Sequence, residues 1–164
     1  MSPDHSVVRA VAAYLTTETN AVDTLPSEWN ERVFGDPTLT VPRLGQAAFK
    51  AVIAENYHYR CAITGDKVRP VLQAAHIKPV SSGGIHRPDN GLLLRSDIHT
   101  LFDRGYIAVD PRKRLLVSPH LKAEFGNGDA LYAKAGEPVS VPERSRDHPH
   151  REFLEWHVDT VFKV

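Results

Sequence analysis

Apolar positions recur at helical spacing in three stretches of the chain. The segment SVVRAVAAYL (6–15) predicts a short amphipathic helix. From Arg43, RLGQAAFKAVIAENY sets Leu44, Ala47, Ala48, Ala51, Val52 and Ala54 on one broad face, and predicts a second. Near the C-terminus REFLEWHVDTVF does the same with Phe153, Leu154, Trp156, Val158, Val161 and Phe162. Shorter apolar runs bounded by turn residues read as strands: YHYRCAIT (57–64) and VLQAAHI (71–77), joined by the turn GDKVRP. Residues 78–90, with Ser81, Ser82, Gly83 and Gly84, read as a long loop. Ser96 suits an N-cap for a helix over 97–104, and Gly105 stands where a C′ glycine belongs. Between 57 and 104 the predicted order is therefore strand, strand, helix. YIAVDPRKRLLVS follows as a hairpin turning at DPRK, and LYAKAGEPVSVP offers one more short strand. In 20–42, Pro26, Gly35, Pro37 and Pro42 predict loop, interrupted by a short helix capped at Ser27 with Glu28 and Glu31 in its first turn.

Composition narrows this picture. A chain of 164 residues with 41% hydrophobic and 24% charged residues can close an ordinary core, so pervasive disorder is excluded. One cysteine, Cys61, excludes an intramolecular disulfide and a structural zinc built from several thiolates, and a free thiol fits a reducing cytoplasm. The N-terminal segment has neither the basic start nor the apolar run of a signal peptide, and no membrane span is expected. Lys plus Arg equals Asp plus Glu at 20 each, so any polyanion would have to be met by a local basic face. Arg104, Arg112, Lys113 and Arg114 follow the predicted helix closely enough to form one.

The candidate chemistry lies between Cys61 and Asp103. His76 ends an apolar segment in LQAAHIKP, Asn90 sits in a glycine-bearing loop in RPDNGLLL, and His99 is in the helix of SDIHTLFDRG. His99 and Asp103, four apart, share one helix face and can grip one cation. Two such ligands with open positions suit magnesium or manganese, with zinc or nickel as alternatives. A histidine titrating near 6.5 can take a proton from water at neutral pH, which makes His76 the candidate general base. Each residue also has an ordinary reading. His76 could be a core histidine among Ala74, Ala75 and Ile77, Asn90 a turn former before Gly91, and Asp103 the partner of Arg104 or Arg60. Lys78 and Arg104 could hold phosphate or be solvated charges, and His86 reads as a solvated loop residue.

As a set, AAHI, NGLLL and HTLFDRG, within residues 43 to about 120, resemble the HNH nucleases, in particular the subfamily found among restriction endonucleases. The resemblance implies an α+β fold: a ββα-metal finger of two antiparallel strands, a loop and a helix around one divalent ion, embedded here in flanking helices and a small extra hairpin. It divides the chain into a 1–42 extension, a 43–120 nuclease core and a 121–164 extension with a closing helix. It implies His76 as general base, Asn90 as the amide that bridges the loop backbone and orients it, and His99 and Asp103 as metal ligands. Many members carry Asp or His directly before the base, where this chain has Ala75, so the ligand set would be thinner or completed by water or Asp97. Many also carry two Cys-x-x-Cys pairs, which are absent, so packing must hold the finger together. The implied function is metal-dependent hydrolysis of DNA in restriction or defence. The alternative is a nucleic-acid-binding module with a degenerate site. Residues 1–42 are too short for a separate DNA-reading domain, so any specificity would come from a partner such as a separate subunit, from dimerisation, or from the small flanks.

Overall fold

A computed structural model describes residues 41–164, with side chains from Gly45 onward. The helices predicted at 6–15 and after Ser27 lie outside the described residues. Helix α1, Val41–Asn56, occupies the second helical segment. Residues Ile53–Val164 form one compact unit.

Two short antiparallel strands, β1 (Leu72–His76) and β2 (Gly91–Arg95), pair with His76 opposite Gly91 and Leu72 opposite Arg95. Helix α2 (Ser96–Asp103) follows β2 directly and packs on both strands. The strand–strand–helix order is thus present, but one strand differs from the sequence expectation. YHYRCAIT is not a strand, because His58 and Tyr59 both take left-handed backbone conformations and the chain then turns at 61–65. The true partner of β1 is the GLLLR run. Leu92, Leu93 and Leu94 are all buried, so both faces of β2 are covered and no polar alternation marks it as a strand. Each such leucine contributes roughly 2 kcal/mol of burial.

The 61–65 turn still serves the finger. The Sγ of Cys61, fully buried, accepts the backbone N–H of Thr64 at 3.4 Å and of Arg95 at 3.3 Å. Ala62 donates its N–H to Leu93 O at 2.8 Å. A single thiol and apolar packing therefore tie this turn to the start of α2.

Helix α2 begins without a side-chain cap. Arg95 is its N-cap and Ser96 lies inside the first turn, so the capping expected of Ser96 does not occur. Arg95 instead pairs with Asp97 at 2.7 Å and Asp66 at 2.5 Å. The C-terminus ends as the sequence predicts, with Gly105 at φ +75° and Tyr106 N–H reaching back to Leu101 O at 2.9 Å. A Cβ on Gly105 would stand 2.0 Å from Val161 O, so only glycine allows the C-terminal chain to pass there.

The hairpin forms as β3 (Ile107–Val109) and β4 (Leu115–Val117), with Asp110 and Lys113 closing its turn. Two short helices then appear where the sequence offered at most a strand: α3 (Pro119–Phe125) and α4 (Asp129–Tyr132). The signals for α3 were available, since Ser118 caps it, Pro119 opens it and Gly126 closes it. Of the strand expected in 131–142, only a bridge between Arg114 and Pro138 exists. Helix α5 (Arg151–Thr160), capped by His150, closes the unit against β3. Ile77, Leu92, Leu94, Ile98, Phe102, Ile107, Val109, Leu115 and Leu154 form its core.

Candidate active site

The residues singled out in the sequence fall into two groups on the ββα unit. The first lies on α2. His99 Nε2 and Asp103 Oδ2 face each other at 3.2 Å across one helical turn. From β1, Gln73 places its Oε1 2.8 Å from His99 Nδ1. An amide oxygen accepts only, so His99 donates Nδ1–H to it and its second nitrogen is turned toward Asp103. In the neutral ring that nitrogen is a lone pair facing a carboxylate, an arrangement that needs a proton or a cation between the two. Local desolvation raises the Asp103 carboxyl above its ordinary range, and the His99 charge opposes this in part.

The second group is the loop between the strands. Asn90, fully buried, accepts Lys78 N–H at 2.9 Å and donates its amide to Lys78 O and Ile85 O, each at 2.9 Å. Its own carbonyl accepts Ile77 N–H at 3.0 Å. One side chain thus holds the loop at both flanks, next to His76 on one side and next to His86 on the other. Gly84 permits this closure, since a Cβ there would lie 1.8 Å from Lys78 O. His76 ends β1, and its Nε2 lies 3.0 Å from His86 Nδ1. His86 is therefore not the solvated loop histidine expected from the sequence. Its loop position gave no signal, because the contact depends on the loop path that Asn90 imposes.

Of the two basic candidates, Lys78 sets its Nζ 5.6 Å from the centre of the Trp156 ring on α5, and Arg104 is exposed at the α2 C-cap. Asp97 is held by Arg95, which lowers its carboxyl pKa, and so does not complete the His99–Asp103 pair. Strand alternation puts Ala75 on the same face of β1 as Gln73, the face that meets His99. A buried methyl occupies it.

The His99–Asp103 spacing suits a divalent ion. Adjacent positions of an octahedron with bonds of about 2.1 Å lie about 3 Å apart, close to the His99–Asp103 separation. Among the described residues no group of three His, Cys, Asp or Glu side chains is placed to hold a metal. The pair therefore fits a hard cation that keeps most of its waters, and does not fit a tetrahedral structural zinc.

Residues 61–110 match the family model described as HNH endonuclease. Over this span the chain is similar to the HNH endonucleases. Its fold is shared with a solved structure titled "Modification dependent TagI restriction endonuclease", at a TM-score of 0.53 and 20% identity. That alignment covers 71% of this chain and 38% of the other, so the chain spans well under half of that protein's length. No curated protein matches the chain. The matched span contains β1, β2 and α2 together with both groups of residues. Among the described residues no helix is long and apolar enough to cross a membrane.

Proposed function

We propose that the chain is a metal-dependent endonuclease that hydrolyses DNA phosphodiester bonds, in a restriction or defence setting. The observation that carries this reading is the His99–Asp103 pair, oriented by Gln73 and short of one positive charge. A bound magnesium or manganese ion, with zinc or nickel as alternatives, would supply charge relief on the phosphoryl oxygens and on the leaving oxygen. His99 and Asp103 are the residues that would hold it. His76 takes the proton from the attacking water, at the end of a strand that fixes its direction. Asn90 keeps the loop in the one path that presents His76. Lys78 and Arg104 contact phosphate oxygens beside the site.

The second reading, a nucleic-acid-binding module without catalysis, draws its support from Ala75. A methyl stands where a third ligand would complete the shell, and the remaining donors are two.

Incubation of supercoiled plasmid with the purified chain separates the readings. With magnesium or manganese the plasmid should be nicked or linearised, and a chelator should stop it. His76→Ala should lower the rate by about 10²–10⁴-fold while leaving manganese affinity unchanged. Plasmid that is bound but never cut, with every cation, would favour the second reading.

A further inference from the structure

His86 has no role in the reading above, yet the fold places it with care. Asn90 holds the carbonyl of the preceding residue, Ile85, from a fully buried position. Arg87 N–H returns to the same carbonyl at 2.9 Å, and Gly84 N–H closes onto Pro79 O at 2.9 Å. The His86 ring is half-buried and meets the His76 ring edge-on, with centroids 5.0 Å apart and planes at 62°. The nitrogens of that contact are 3.0 Å apart, which is hydrogen-bond distance.

We propose that His86 is the positioning residue of the general base: it accepts a hydrogen bond from His76 Nε2–H and so fixes the tautomer in which the His76 lone pair is on Nδ1. The argument rests on the assignment of His76 as base. A hydrogen bond between two neutral imidazoles needs one N–H and one lone pair at the contact. Were His86 to donate, its Nδ1–H would occupy the Nε2 lone pair of His76, and the remaining nitrogen of His76 would carry a proton. His76 would then have no lone pair to offer water. With His76 donating, Nδ1 keeps its lone pair. When Nδ1 takes the proton of water, the ring becomes an imidazolium whose Nε2–H still points at an acceptor, so the charge forms against a ready partner. In catalytic triads a carboxylate performs this orienting task; here a neutral imidazole from the loop takes its place.

The test reads the tautomer and the cleavage rate separately. Nitrogen-15 correlation spectra of the imidazole rings in the full chain, with His76 assigned by its loss in His76→Gln, should show His76 protonated on Nε2 near pH 8. In His86→Leu that preference should give way to a mixture. His86→Asn puts an amide oxygen close to the place of Nδ1 and should restore it. In plasmid cleavage, His86→Leu should lose about 10–100-fold in rate at saturating DNA with manganese affinity intact, and His86→Asn should recover most of the loss. A His76 ring protonated on Nδ1 in the parent, or a tautomer indifferent to His86→Leu, would overturn the inference even if the chain cleaves DNA. Failure of the parent to cleave under any metal would instead overturn the nuclease reading, while the spectra would still decide whether His86 sets the His76 tautomer.

Discussion

At the scale of single residues, Asn90 shows how one side chain can hold a whole loop in place. Its amide meets three backbone partners and its burial is complete, so Asn90→Ala would leave Lys78 N–H, Lys78 O and Ile85 O without partners inside the loop. Unsatisfied buried groups cost about 1–3 kcal/mol each, offset where water enters. A loss of about 2–4 kcal/mol is expected from denaturant unfolding of Asn90→Ala, together with loss of cleavage. A midpoint unchanged from the parent would show that the loop holds its path without the amide. Of the residues read from the sequence, Asn90 could be placed because an Asn-Gly turn and the HNH pattern coincide there. Gln73 and His86 could not. Gln73 matters only through the pairing of β1 with β2, which sets the face it shares with His99. His86 matters only through the loop path. Neither relation is local in sequence.

At the scale of elements, the pairing of strands was the main thing the sequence misplaced. Period-two reading needs one wet face, and β2 has none, so its leucines look like any buried run. YHYRCAIT alternates convincingly, yet His58 and Tyr59 adopt left-handed backbone, which side-chain periodicity does not reveal. Helices α1, α2 and α5 were legible because their apolar residues recur at helical spacing, and Gly105 closes α2 as expected. The junction of α2 and α5 has a further consequence. The His157 ring stacks on Phe102 at 3.8 Å between centroids, and its Nε2–H donates to Phe102 O at 3.1 Å. Its Nδ1 is buried without a hydrogen-bond partner, so a proton there would be stranded. Burial accordingly pushes the His157 pKa down to about 4, against an unfolded value near 6.5. The unfolded chain binds this proton more readily, so the contribution of neutral His157 is complete above about pH 6.5 and is lost as pH falls toward 4. Over that window it amounts to about 3 kcal/mol. Melting temperatures at pH 7.5, 6 and 5 should therefore fall more steeply for the parent than for His157→Phe. Parallel slopes would show that His157 is solvated in the folded chain.

At the scale of the whole molecule, zero net charge must be reconciled with the polyanionic substrate proposed above. Some of the basic residues read from the sequence are also engaged within the fold. Lys113 Nζ bonds His148 Nδ1 at 2.9 Å and Arg114 bonds Gly136 O at 2.8 Å, so both support the hairpin's surroundings while keeping their charge, whereas Arg87 is paired with Asp89. Lys78 and Arg104, the two candidates for phosphate contact, are the cations to test first. Binding to a DNA duplex should be weak and should fall steeply between low and moderate salt, as phosphate contacts release counterions. Lys78→Glu with Arg104→Glu should weaken it about equally for every sequence and flatten the salt slope. Unchanged affinity and slope would place the substrate elsewhere on the surface.

The central claim is that one divalent cation sits between His99 and Asp103. Crystals of the chain soaked in manganese and measured for anomalous scattering at the metal's absorption edge test it most directly. The account predicts one strong peak within bonding distance, about 2.2 Å, of both His99 Nε2 and Asp103 Oδ2, absent in His99→Ala crystals. An empty map between these two side chains, with manganese bound at another site, would contradict it.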